Sequence, residues 1–394
     1  MNKWTMSSVM LLFGAVAVAG CGAGTNVQGQ SSHKAVKHMS GPKGVRASHT
    51  LGALTVMSDI QAFQMMTPQS GWLLTQNTLY HLTQGGQDAT TVSSSAIGTL
   101  VAAWTNHQVF TASAPHPHPG HIKVVIRSSE NGGRSWTSLA TIKSPYPPMQ
   151  MMMQPSGIGW LETSPGPADG NDVFAQLWHT IDGGRHWTLM SQTAFPYHRK
   201  PGVLPNGGQF QFLTSTMGWL LPGRFVPVPG LPVAYQTQNA GHTWSPESWT
   251  LPPGRRMANV QDIKVLDVTP SGTGLVMVEW TGGQTGGWQV ASLVNNHVQG
   301  WSPRLLNGLI TSMPVFAMTT DPQTIWMVNQ HTLWSISGAT RPVVKHVTAH
   351  LPFSDPAMLQ FTDKGRGWAM STNAANHPVL WTTDDSGVQW HQVT

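Results

Sequence analysis

The sequence predicts an all-β protein, a seven-bladed β-propeller of four-stranded antiparallel blades, and three observations lead there. An eight-residue pattern recurs four times along the 394-residue chain, a Gly-Trp pair opens a strand after an apolar run at four places, and the segments around them alternate apolar and polar residues at the period of a strand. No stretch shows the periodicity of an amphipathic helix.

The eight-residue pattern is hydroxyl, any, Asp or Asn, any, Gly, two of any, Trp. Its copies are carried by Ser129, Asn131, Gly133 and Trp136, by Thr180, Asp182, Gly184 and Trp187, by Thr237, Asn239, Gly241 and Trp244, and by Thr383, Asp385, Gly387 and Trp390. The chemistry is that of a hairpin turn. The Asx side chain bonds local backbone, the Ser or Thr hydroxyl bonds the Asx oxygen, and Gly takes a positive φ that a Cβ resists. Trp then opens the next strand with a large apolar surface and an N–H that needs a partner. These are folding devices rather than catalytic ones.

The pattern resembles the Asp box of the BNR-repeat families, which include sialidases, sortilin-type receptors and photosystem II assembly and stability factors. The resemblance implies that each box joins the third and fourth strands of a blade, away from the central ligand face. The Gly-Trp pairs at Gly71-Trp72, Gly159-Trp160, Gly218-Trp219 and Gly367-Trp368 each follow an apolar run, with Thr324-Ile325-Trp326 a variant. This combined grammar is most similar to the photosystem assembly-factor branch.

Laying the grammar along the chain places blades at roughly 58–95, 96–145, 146–200, 201–255, 256–306, 307–351 and 352–394. The first, fifth and sixth lack a clean box, although Asn296 to Trp301 and Asn329 to Trp334 keep the Asx-to-Trp spacing of a worn copy. Six or eight blades would also accommodate these gaps. The run Ala53 to Met57 is a candidate extra strand closing the ring on the last blade.

Ahead of the propeller (53–394) lie two shorter segments. Residues 1–20 read as a secretory signal, with Lys3 before an apolar run from Val9 to Ala19 that is too short to span a bilayer comfortably. Val18-Ala19-Gly20-Cys21 resembles the bacterial lipobox, which implies lipidation of Cys21, the only cysteine in the chain. Residues 21–52 are rich in Gly, Ser, Gln and basic residues and read as a flexible tether. The expected location is therefore extracytoplasmic, on the bacterial membrane, with the lipid as the membrane contact.

Charged residues make up 9% of the chain, well below the roughly one quarter of an average domain. The +5 net charge reflects only 16 acidic residues rather than a block of cations, so nucleic acid is excluded as a partner. An acidic milieu is one reading of this scarcity.

Candidate chemistry is sparse. A sialidase needs clustered arginines, a Tyr activated by a Glu, and an Asp acid. The Arg-Ile-Pro signature is missing and only four tyrosines and four glutamates are present. Asp169 and Asp172 sit among Gly and Pro, where turn chemistry outweighs catalysis. His116, His118 and His121 alternate with prolines and are weak candidate metal ligands, against a solvated loop. Met149, Met151, Met152 and Met153 suit core packing better than a soft-metal patch. Arg224, Arg255, Arg256 and Arg304 could gather on one face.

The expectation is thus a monomeric, membrane-tethered, non-enzymatic propeller without cofactor, serving as a protein-binding scaffold in assembly or quality control. The alternatives are a glycan-binding module or sialidase-like hydrolase, and a metal-handling lipoprotein.

Overall fold

The computed structural model describes residues 48–50 and most of 60–393. Outside the description lie 1–47, 51–59, the stretches 76–77, 94–99, 104–106, 115–120, 166–173, 195–200, 223–233, 257–259, 281–286, 303–314, 319–323 and 339–341, and some shorter gaps. Cys21, the tether and the run Ala53 to Met57 therefore lie outside the described residues.

Seven antiparallel sheets follow one another around a ring, and no α-helix occurs among the described residues. Blade 1 comprises β2 (Ile60–Met65), β3 (Gly71–Thr75), β4 (Leu79–Thr83) and β5 (Asp88–Ser93), with β1 (Ser48–Thr50) added outside β5. Blade 2 comprises β6 (Leu100–Ala103), β7 (Val109–Ser113), β8 (Ile122–Ser129) and β9 (Thr137–Ser144). Blade 3 runs through β10 (Pro148–Met153), β11 (Gly159–Thr163), β12 (Gln176–Thr180) and β13 (Thr188–Thr193), and β14 (Val203–Leu204) pairs parallel to β13. Blade 4 has β15 (Gly208–Phe212), β16 (Gly218–Pro222), β17 (Tyr235–Thr237) and β18 (Ser245–Pro246). Blade 5 has β19 (Val260–Val268), β20 (Gly274–Trp280), β21 (Gly287–Val294) and β22 (His297–Trp301). Blade 6 has β23 (Val315–Met318), β24 (Thr324–Asn329), β25 (Thr332–Ser337) and β26 (Val343–Thr348). Blade 7 has β27 (Met358–Phe361), β28 (Gly367–Thr372), β29 (Pro378–Thr383) and β30 (His391–Gln392).

The Gly-Trp pair has a physical reason within each blade. Gly71, Gly159, Gly218 and Gly367 pair with Met65, Met153, Phe212 and Phe361, the last residues of the first strands. A Cβ on Gly218 would lie 2.6 Å from the Phe212 ring, so the large side chain lies over the bare glycine. Trp then turns to the next blade: Trp160 stacks on Phe212 at 3.9 Å and Trp326 on Phe361 at 4.3 Å. The methionines of β10 pack likewise, Met151 and Met153 towards blade 2 and Met152 towards blade 4, as core packing predicts.

The Asx turns connect third and fourth strands. In each, the hydroxyl lies 2.9 to 3.1 Å from the Asx Oδ1 and accepts the Gly N–H at 2.7 to 3.1 Å. The Asx oxygen also accepts the N–H of the residue before Trp. Trp187, Trp244 and Trp390 donate to the carbonyl of their own turn glycine at 3.0 Å, whereas Trp136 Nε1 has no partner among the described residues.

A second bond fixes these turns to one face of the ring. Gly132, Gly183, Ala240 and Ser386 each donate an N–H, at 2.8 Å, to a carbonyl in the turn between first and second strands: His107, Gly157, Thr216 and Gly365. The turn glycine then wedges against the preceding blade. A Cβ on Gly241 would lie 2.4 Å from Leu177 of blade 3, and one on Gly387 2.2 Å from Leu333 of blade 6.

One expectation is revised, and the blade 1 turn and the ring closure are new. Blade 1, without hydroxyl, Asx or Trp, still forms the same turn: Gly85 donates to Gln69 O at 3.0 Å, and a Cβ on Gly86 would lie 2.4 Å from Leu380 of blade 7. Asn329 to Trp334 is not a worn copy, because it spans the turn between second and third strands of blade 6, on the opposite face. Blade 7 draws its four described strands from one continuous segment and β1 extends the outer edge of blade 1, while the run Ala53 to Met57, expected to close the ring, lies outside the described residues. Among the described residues the ring closes by side chains. Gln360 of β27 accepts from Met65 N at 2.6 Å and donates to Met65 O at 2.7 Å, beside an apolar seam that includes Phe63, Leu82, Trp368 and Leu380.

Candidate functional site

With the Asx turns consumed by structural bonds on one face, the opposite face carries the connections between second and third strands. Their lengths are uneven. Twelve residues separate β11 from β12 and twelve separate β16 from β17, eight separate β7 from β8, and two separate β24 from β25. The long connections thus belong to adjacent blades 2, 3 and 4.

This sector collects six of the candidates singled out in the sequence. The β7–β8 connection contains His116, His118 and His121, the β11–β12 connection contains Asp169 and Asp172, and the β16–β17 connection contains Arg224. Of these, only His121 is among the described residues, and it is exposed. Arg304 also lies outside them; Arg256 is exposed, and Arg255 sits over the Trp280 ring at 5.1 Å. Among the described residues, no group of three His, Cys, Asp or Glu could hold a metal ion.

Beneath these connections the strand ends of blades 2 and 3 carry a polar cluster without formal charge. Ser144 Oγ lies 2.8 Å from Thr163 Oγ1 and 3.1 Å from Gln176 Oε1, and the Trp178 indole donates to Thr163 Oγ1 at 3.3 Å. Gln176 Nε2 donates to Gln192 Oε1 at 3.2 Å, which carries the chain outward to an exposed residue.

Next to this cluster stands Glu162, a residue to which the sequence reading assigned no role. It is 3% exposed and pairs across the sheet with Gln150 and Leu177, so its side chain faces blade 4. Its Oε1 accepts from Gly208 N at 3.2 Å, while Gln150 accepts from Phe210 N and donates to Phe210 O. Glu162 and Gln150 together dock β15 onto blade 3. Burial pushes the Glu162 carboxyl up to about 8, against the opposing pull of the Gly208 hydrogen bond. It is a neutral acid at neutral pH. A Glu inside a strand of otherwise apolar character, GWLET, was the one signal in the sequence.

No family model matches the chain, and no curated protein matches it. Solved structures do. The β-propeller domain of the Trilobed protease from Pyrococcus furiosus, described by an open velcro topology, has a TM-score of 0.50 at 8% identity over 85% of this chain and 95% of that one. An oligogalacturonate lyase in complex with manganese has a TM-score of 0.50 at 9% identity, over 81% and 86%. These likenesses show the fold, a seven-bladed propeller. Glycoside hydrolases also occur among the similar chains, such as the α-L-arabinofuranosidase Arb93A from Fusarium graminearum, at TM-score 0.40 and 12% identity over 70% and 89%. The expectation of a non-enzymatic chain is withdrawn, since the lyase at TM-score 0.50 shows that propellers of this fold include enzymes. At such identity the likeness assigns no activity.

Proposed function

We propose that this chain is an extracytoplasmic, lipid-tethered propeller of the Asp-box type that binds a protein partner through the connections of blades 2, 3 and 4. The observation that carries the reading is the uneven face: the long connections fall in one sector, on a ring whose other face is occupied by structural turns. Loops held by a rigid scaffold are where binding residues concentrate. The hydroxyl, Asx, Gly and Trp bonds of the four turns support the resemblance to the Asp-box families, including the photosystem assembly-factor branch. Lipidation of Cys21 would hold the propeller at the membrane, with the partner an envelope protein in assembly or quality control. The test is affinity capture from membranes with the native chain and with a variant whose β11–β12 and β16–β17 connections are shortened. Capture of the same partners by both rejects the assignment of the face.

A second reading, a glycan ligand, is favoured by the uncharged row of Ser144, Thr163, Gln176 and Gln192, since hydroxyls and amides match sugar hydroxyls. Binding to a glycan array that is lost with Gln176→Ala and Gln192→Ala would support it over a protein partner.

A further inference from the structure

Among the described residues, the seams between blades differ in how far their buried polar atoms are met. Between blades 3 and 4, the Trp160 indole donates to Ala240 O of the neighbouring turn at 3.2 Å, and Gly241 of that turn presses on Leu177. Trp219 is the corresponding residue of blade 4, following Gly218 as Trp160 follows Gly159. The turn it would meet belongs to blade 5, and there the third and fourth strands are joined by two residues, with Val294 paired to His297. So short a hairpin has no room for the wedge.

The consequence is visible in the polar atoms facing blade 5. Trp219 is 1% exposed, and its Nε1 has no hydrogen-bond partner among the described residues. Gln211 and Gln236 are its cross-strand neighbours and share its face, and buried Gln211 Oε1 and Gln236 Nε2 also have no partner among those residues. Three adjacent strands thus present a row of donor and acceptor atoms without partners. The equivalent row of blade 3 is Met152, Trp160 and His179, where only His179 Nε2 is in that position.

The seam between blades 7 and 1 is the natural place for a ring to part, since no strand crosses it among the described residues. It is better held. Trp368 Nε1 has no partner there among the described residues, but Gly86 wedges against Leu380 and Gln360 bonds Met65 twice. Among the described residues the contact between blades 4 and 5 is mostly apolar, Trp219 meeting Val276, Val278 and Trp280, with the Trp301 indole bonded to Thr250 O at 2.8 Å.

We infer that the ring opens between blades 4 and 5, and that blade 5 separates before the sequence-terminal seam does. An unsatisfied buried polar row lowers the free energy needed to admit water, so this seam is the weakest point of the closed ring.

Two measurements on the full chain test this. Backbone hydrogen exchange is expected to show blade 5 losing protection together, several-fold sooner than blades 3 and 7. Uniform protection around the ring, or earliest loss at blades 7 and 1, overturns the inference. Trp219→Phe removes the partnerless N–H and keeps the aromatic surface, so its melting temperature is expected to equal or exceed that of the parent, while Trp160→Phe melts lower. A Trp219→Phe variant that melts as low as Trp160→Phe means the N–H has a partner in solution, such as a bound water, and equally overturns it.

Discussion

At the scale of single residues, the turn glycines and Glu162 carry distinct costs. Gly241 has φ near 92° and lies against Leu177, so Gly241→Ala combines backbone strain with a steric clash. Gly202, at φ 78°, has nothing within 4 Å of an added Cβ, so Gly202→Ala costs the strain alone. The expected losses are about 2 to 4 kcal/mol and about 1 kcal/mol, read by urea unfolding. Thr237→Val leaves the Gly241 N–H and the Asn239 oxygen without the hydroxyl that joins them, an expected loss of about 1 to 2 kcal/mol in the same measurement.

Glu162 also makes stability depend on pH, with a sign opposite to that of most carboxylates. Its folded value of about 8 lies above the ordinary 4.5, so the folded chain holds a proton that the unfolded chain releases between these values. Stability is therefore fullest below 4.5 and declines towards about 8, by at most about 1.4 kcal/mol per pH unit. Melting temperatures measured across that window should fall with rising pH, and Glu162→Gln, which still offers an oxygen to Gly208 N, should flatten the fall. An unchanged slope in Glu162→Gln counts against this account.

At the scale of elements, the Asx turns differ in acid sensitivity because two use Asp and two use Asn. Burial alone would raise Asp182, but hydrogen bonds from the His186 N–H and side chain and from Thr180, with the charge of His186, lower it to about 2. Asp385 is lowered too, burial being outweighed by bonds from Gln389, Thr383 and nearby backbone. A lowered carboxyl stabilises the folded state above its unfolded value and loses that contribution as pH falls through the folded one. The turn of blade 3 should thus loosen near pH 2 and that of blade 7 as pH falls below the ordinary carboxylate range, and those of Asn131 and Asn239 should not. Hydrogen exchange resolved by blade at acid pH distinguishes them, and Asp182→Asn should protect blade 3.

At the scale of the whole molecule, these terms combine with closure and anchoring. Gln360 joins the first and last blades through both backbone groups of Met65, so Gln360→Leu strands two polar groups at a partly buried seam. Its expected cost is about 2 to 3 kcal/mol, with exchange at β2 and β27 accelerated. Cys21→Ser should release the chain from the membrane fraction on cell fractionation, and retention there would reject the lipid anchor.

The seven blades were legible in the sequence because turn chemistry is local. A hydroxyl, an Asx, a Gly and a Trp at set spacing find one another within eight residues, and a Gly-Trp pair seats the large residue that precedes it. Where the signal was only spacing, as at Asn329 to Trp334, it misled, because the hydrogen bonds that define the turn were not encoded there. Gly86 went unread for the converse reason: its wedge against Leu380 is a contact across 294 residues. The sector of long connections was likewise beyond reach, since loop length is visible in a sequence but the face to which it belongs is not. The sequence alone determined the repeat and its turns, whose bonds are made between near neighbours. Only the tertiary structure decided the closure by Gln360, the burial of Glu162 and the unmatched row at Trp219, each a property of two blades meeting.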